Sequence, residues 1–485
     1  MAVAVYLAAI PITGFAPEEA PLSEETEECI GCHELYTPGI VADWRTSKHS
    51  HITPAELLAG LEGQADSTEI PEQLLAVAVG CYECHGRNTD RHADSFDHEG
   101  FTINVVVSPD DCSTCHSAET QQYYGSKKSE ANNILRMNPV YSLLVGTLTG
   151  VYEMSDAGPV QREPTAETLG VACLGCHGTQ VTVSGMRTVA TDFGDIEVPR
   201  LENWPNQGVG RINPDGSHGS CTPCHPRHSF SIEVARKPYT CLQCHLNPDV
   251  PGWEVYRESK HGNIFLSSGH DWNWDSEFWT VGEDFRAPTC AVCHNSLIVD
   301  AEGQVIAERT HDFGARLWVR IFGLVYSHPQ PRSGRTYEIV NGDGLPIPTT
   351  FAGVRASTFL IDEAEQARRR AGMSAICRAC HSSSWTEEYF ATFDQAIEDA
   401  DSMVLAATRM MLDAWEEGLA SPENPFDEAL ERKWIAQWLF YANSVRYAAA
   451  MSGPDYAAFK NGWWDLTRNL QEMIDSIELH RHAER

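Results

Sequence analysis

Apolar residues recur at helical spacing only in the last hundred residues of the 485-residue chain. There Trp385, Tyr389, Phe393, Ile397, Ala400, Val404, Ala407 and Met411 fall on one face. Ser384 and Glu387 have the spacing of a capping box that would open this helix. Breakers at 421–425 end it, a second helix is predicted over about 426–451, and Gly453-Pro454-Asp455 ends that one. A third starts near Asp455 and runs toward the C-terminus, so 384–485 reads as a three-helix bundle whose default role is packing or oligomerisation.

Residues 17–383 carry no such period. Gly, Pro, Asn and Asp interrupt them at short intervals, as in 160–164, 204–219 and 341–350, which predicts short helices and loops with few strands. The expected fold class is mainly α. Residues 1–16 are apolar and end Gly14-Phe15-Ala16, small residues suited to signal peptidase, although no basic segment precedes them. No later run reaches the ~18 apolar residues that span a bilayer, so the expected product is exported and either soluble or peripheral.

Composition narrows the function. An apolar fraction of 42% is too high for an acidic disordered chain. A net charge of −33 with seven Lys argues against a nucleic-acid partner and for a basic one. All 16 Cys fall in Cys-x-x-Cys-His pentads: Cys29, Cys32, His33; Cys81, Cys84, His85; Cys112, Cys115, His116; Cys173, Cys176, His177; Cys221, Cys224, His225; Cys241, Cys244, His245; Cys290, Cys293, His294; and Cys377, Cys380, His381. Chance at this chain's Cys and His frequencies would supply roughly 0.02 such pentads. Two thiols at this spacing can each add to one vinyl group of a heme, and the adjoining His then reaches the iron. Neither zinc fingers nor disulfides require that His. Eight covalent heme c groups are expected, with no thiol left for a disulfide, and porphyrin in place of much side-chain core.

Twelve His lie outside the pentads. His480 and His482 sit in a tail expected to fray, leaving His49, His51, His92, His98, His218, His228, His261, His270, His311 and His328. An electron-transfer heme takes a second axial ligand, whereas a catalytic one keeps that position open. Trp44-x-x-Ser47-Lys48-His49 and Tyr256-x-x-Ser259-Lys260-His261 repeat one pattern, which ranks His49 and His261 first. A third copy, Tyr123-x-x-Ser126-Lys127-Lys128, ends in Lys. Its heme has lost its His, has gained a lysine ligand or borrows a His from elsewhere; a solvated Lys pair is the plain alternative. His228 and His311 come next, ahead of His51 and His98, with His92, His218, His270 and His328 completing the expected ligand set.

The block from Trp204 through Asn206-Gln207-Gly208, Arg211-Ile212-Asn213-Pro214 and Gly216, then Cys221-Thr-Pro-Cys-His-Pro-Arg-His-Ser-Phe230, Cys241-Leu-Gln-Cys-His and Ser259-Lys-His-Gly262, resembles octaheme hydroxylamine oxidoreductases. The likeness extends over nearly the whole chain, from eight pentads in comparable order to the Cys-free helical end. It implies a mainly helical subunit, commonly a homotrimer, in which seven bis-His hemes conduct electrons to a soluble cytochrome. The fourth heme, here on Cys173, Cys176 and His177, would be catalytic.

In oxidative relatives a tyrosine from a neighbouring subunit's C-terminal region is bonded to that heme, which tunes it toward withdrawing electrons. Tyr456 is the first candidate here and Tyr447 the second. Those relatives also place an Asp-His pair in the pocket, but the only Asp-His here is Asp97-His98, ahead of the third motif. Asp249 and Glu202 are the substitute proton acceptors. The expected activity is oxidation of hydroxylamine or a similar small nitrogen compound such as hydrazine. The alternatives are reduction of nitrite or hydroxylamine to ammonium, and electron transport alone.

Overall fold

The computed structural model describes residues 20–60, 70–191, 194–453 and 458–483; the proposed export segment and Tyr456 lie outside them. Helices dominate, and the strands form small two- and three-stranded sheets. Up to about residue 380 the helices are mostly short, because the pentads themselves nucleate them. Cys81–His85, Cys173–His177 and Cys290–His294 are each a five-residue helix. In four other motifs the His amide donates to the carbonyl of the first Cys, as in His225 N to Cys221 O at 3.0 Å and His245 N to Cys241 O at 2.9 Å. One helical turn sets the two thiols on the same side, as two bonds to one ligand require.

Two antiparallel hairpins were not expected from the sequence. One pairs Val151–Ser155 with Gly158–Arg162 and the other pairs Thr182–Thr191 with Gly194–Glu202. Both flank the fourth motif in sequence. A smaller hairpin, Phe96–His98 with Phe101–Ile103, carries His98.

The C-terminal region is helical. Its first helix, Ser383–Glu416, spans 34 residues. The cap is Ser382, whose side chain accepts from Trp385 N, rather than the predicted Ser384. Phe393, Ile397, Ala400, Val404, Ala407 and Met411 are buried along one face, while Trp385 leaves that face to stack on His381 at 3.9 Å. The second helix starts at Ala429 and ends at Met451, passing through a π-helical stretch, Ala436–Tyr441. Glu431 closes its N-terminus by accepting from Asp427 N and Glu428 N. The last helix, Trp464–Ala483, runs through His480 and His482, where a frayed tail was expected. Phe426, Trp434 and Trp438 form the aromatic centre of this core.

Candidate heme sites and the fourth motif

A continuous cavity of about 2820 Å³ runs through the protein, against roughly 300–1,000 Å³ for a pocket holding one small ligand. Its wall includes all eight pentad His and every pentad Cys except Cys32. None of the 16 Cys is joined in a disulfide. Several pentad rings are already oriented for ligation: His177 Nδ1 donates to Ala131 O at 3.0 Å and His85 Nδ1 to Asn104 O at 2.8 Å. His33 Nδ1 lies 2.8 Å from Thr37 Oγ1. A ring whose Nδ1 is engaged in this way presents Nε2 to a metal.

The same wall sorts the other histidines. His49, His98, His228, His261 and His311 line the cavity, whereas His51, His92, His218, His270 and His328 do not. Four of the lining rings face a pentad ring at nearly one distance: His33 with His98 at 6.1 Å, His49 with His116 at 6.2 Å, His225 with His311 at 6.4 Å and His261 with His381 at 6.1 Å between centroids. Two imidazoles with one metal between them, at bonds of about 2 Å, have this span. Burial pushes the pKa of His228 down to about 4, with His85 foremost among the charged groups that act on it. The donor set and the cavity therefore fit covalently held, doubly ligated hemes.

Four expected ligands are placed otherwise. His92 sits among carboxylates, 3.1 Å from Asp94 and 3.2 Å from Asp111. His218 Nε2 is 3.2 Å from Glu130. His270 is exposed beside Asp271. His328 is buried outside the cavity, its Nδ1 donating to Pro329 O at 2.7 Å. His98 takes a position that the sequence ranked low, because the short hairpin swings it back toward the first motif.

Thiol neighbours give the order of the motifs in space. Cys29 and Cys81, Cys112 and Cys221, Cys176 and Cys244, and Cys241 and Cys290 lie within hydrogen-bonding reach. Cys84 neighbours Cys115, Cys224 neighbours Cys241, and Cys293 neighbours Cys377. The motifs thus run first, second, third, fifth, sixth, seventh, eighth, and the fourth joins the series at the sixth.

The fourth motif is clamped by the Trp204 block. Val209 N donates to Cys176 O at 3.0 Å and Gly210 N to His177 O at 3.2 Å. Gly178, at φ +95°, lets this loop approach, since a Cβ there would lie 2.2 Å from Arg211 N. Among the described residues His177, His245 and His294 form no imidazole pair of the kind above. The groups that act on His177 electrostatically are Lys128, Asp249 and Arg320, while burial is the largest influence and pushes its pKa down.

Asp249 and Tyr447 line the cavity beside this motif. Burial raises the Asp249 carboxyl, with backbone donors and His177 opposing. Burial also pushes the Tyr447 phenol up to about 12, with Arg320 and Asp249 as its charged neighbours. Glu202 does not reach the site. It is exposed at the end of its strand, where Ser184 Oγ donates to it at 2.6 Å, because its pairing with Thr182 turns it to solvent. Sequence reasoning missed Arg320, which lines the cavity near Tyr141 and Tyr447. Lys127, which the sequence offered only as a member of the Tyr123 repeat, is also here, its ammonium depressed by burial to about 7. Arg320 lies in no recognisable motif.

Fold and thiol chemistry together define a multiheme cytochrome c, carrying covalent heme c at Cys-x-x-Cys-His motifs. Residues 214–308 match the family described as seven times multi-haem cytochrome CxxCH. A solved structure titled hypothetical multiheme protein is 41% identical, with a TM-score of 0.90, over 96% of this chain and 98% of that one. A probable nitrite reductase-hydroxylamine oxidoreductase fusion protein of Kuenenia stuttgartiensis is 28% identical over 286 residues, 55% of this chain and 25% of the relative. The match thus spans about a quarter of that curated relative. The reducing HAO-like protein complex of the same organism shares the fold at TM-score 0.62 and 18% identity, over 95% of this chain and 86% of that one. The chain belongs to the multiheme cytochromes c.

Proposed function

We propose that the protein is an exported oxidoreductase of small nitrogen compounds that works in the reductive direction, taking nitrite or hydroxylamine to ammonium at the fourth motif. The observation that carries this reading is the set of groups around His177: among the described residues no imidazole pairs with it, and Arg320, Asp249 and Tyr447 cluster beside it. Heme c, when bound there, supplies an iron that exchanges electrons and can hold a small nitrogen ligand in its open position.

The residues account for charge and protons. Nitrite is an anion, and the Arg320 guanidinium offers it charge-assisted hydrogen bonds. Reduction of nitrite to ammonium consumes eight protons with its six electrons, so the site needs groups that pass protons on. Asp249, its carboxyl shifted by burial toward the protonated form, and Tyr447, raised to about 12, are the titratable groups placed to do so. The series of eight motifs would feed electrons to the fourth through the sixth. The acidic surface suits a basic redox partner such as a soluble cytochrome c, and the family resemblance supports a homotrimer. No described helix is long and apolar enough to cross a membrane.

Oxidation of hydroxylamine is the second reading, favoured by Tyr447 beside the fourth motif. Two measurements separate the directions. With a reduced dye as donor, the account expects ammonium from nitrite, and Arg320→Met should raise KM for nitrite about 10- to 100-fold, the worth of a hydrogen bond to a charged group, with a much smaller effect for neutral hydroxylamine. A mass for the Cys173 heme peptide that includes a Tyr447 or Tyr456 fragment, with hydroxylamine oxidised and nitrite untouched, would overturn it.

A further inference from the structure

The three copies of the aromatic-x-x-Ser-Lys pattern fold alike. In each, the Ser amide donates to the carbonyl of the aromatic residue three positions earlier: Ser47 N to Trp44 O at 2.8 Å, Ser126 N to Tyr123 O at 2.9 Å and Ser259 N to Tyr256 O at 3.0 Å. The three aromatic rings and the three Ser are all buried. This common turn aims the residue two positions after the Ser. In the first and third copies that residue is His49 or His261, and its ring faces the pentad His116 or His381 across the cavity. In the middle copy it is Lys128, and its Nζ lies 2.9 Å from Nε2 of the pentad His245.

Two further observations set Lys128 apart from an ordinary surface lysine. Among the described residues no carboxylate lies within ion-pair distance of it, so no partner anion accounts for its inward course. His245, moreover, is one of the pentad rings that no described imidazole pairs with. Lys128 instead lines the cavity, 5.8 Å above the Phe313 ring.

We propose that Lys128 is the sixth ligand of the heme c attached at Cys241 and Cys244, opposite His245. The bond to iron would form from the amine lone pair, with the ammonium proton passing to solvent. Two bonds of about 2 Å in line need the two nitrogens about 4 Å apart, which the flexible four-carbon stem reaches by a change of rotamer.

The position gives the ligand a consequence. Cys244 of this motif contacts Cys176 of the fourth, so this heme is the neighbour through which the fourth exchanges electrons with the rest. Axial-ligand identity is one of the main controls of heme potential. A single amine ligand at this junction would make it energetically distinct from the bis-His members, whichever direction the enzyme runs.

The test uses the heme-loaded, full-length protein. Near-infrared magnetic circular dichroism and EPR of the ferric wild type should show one His–amine low-spin component besides the bis-His ones. Lys128→His should convert that component to bis-His with the total low-spin count unchanged. Lys128→Ala and Lys128→Arg should each turn one low-spin heme high-spin and add one site that binds carbon monoxide after reduction. Arginine keeps the charge but does not ligate, so an Arg variant with the wild-type spectrum would show that only the charge matters and would overturn the proposal. Identical spectra for wild type, Lys128→His and Lys128→Ala would overturn it equally. The His variant retains the turn and a ligating side chain, so a folding failure of the Ala variant leaves the question decidable.

Discussion

His261 and His381 face each other across the cavity with ring centroids 6.1 Å apart, although they lie 120 residues apart in sequence. Trp385 stacks on the far partner at 3.9 Å and fixes its plane. The pair fits two axial ligands of one heme, with His381 held in its pentad and His261 delivered by a capped helix. His261→Ala should therefore convert one low-spin heme per chain to high-spin, with the others unchanged, as counted by EPR of the oxidised protein. His270→Ala, at an exposed ring outside the cavity, should leave the spectrum as it was.

Asp249 is the carboxyl proposed to deliver protons at the fourth motif. Asp249→Asn keeps the shape and removes the titrating group, so kcat for ammonium formation should fall by about 10²- to 10⁴-fold. The heme absorption spectrum should not change. Glu202→Gln, at the solvent-facing end of its strand, should alter kcat less than about twofold.

His92 predicts a pH dependence of stability. Burial disfavours its charged form, but the Asp111, Asp94 and Asp215 carboxylates around it outweigh burial and raise its pKa to about 10. A histidine raised in the folded state from its usual ~6.5 contributes its full stabilisation below that value. The contribution diminishes as pH rises from about 6.5 and is gone above about 10. The melting temperature of the wild type should fall across this window more steeply than that of His92→Phe, which has nothing there to titrate.

In the C-terminal core, Trp434 is fully buried, stacks with Phe426 at 6.3 Å and donates from Nε1 to Thr408 Oγ1 at 2.9 Å. Truncation to Ala removes the ring and its bond to the hydroxyl, which keeps its own bond to Val404 O. Trp434→Ala should cost about 3–5 kcal/mol in chemical denaturation, with little change in the midpoint potential of any single heme.

The pentads, the helical C-terminus and the Ser-Lys-His turns were legible in the sequence because each is a local pattern whose chemistry and spacing coincide. Choosing among the remaining histidines was not a local matter. His92 and His98 are six residues apart, yet one is held by carboxylates and the other faces His33 across the cavity. Only the hairpin between them and the third motif decides which is which. The longer hairpin of Thr182–Thr191 and Gly194–Glu202 did leave a trace, in Thr182, Val183, Thr188, Val189, Ile196 and Val198. Its strands are largely exposed, so the alternation of buried and open positions that marks a strand is weak. Arg320 was illegible for a different reason: a buried cation becomes a site residue only through what the fold packs against it.

The proposed function requires an open iron position opposite His177 at which the nitrogen compound binds. A crystal structure of the heme-loaded protein soaked with nitrite should show one nitrite per chain, on the heme of Cys173 and Cys176, on the face opposite His177 and within reach of Arg320. A protein side chain ligating that iron from the opposite face, or nitrite bound only at another heme, would contradict it.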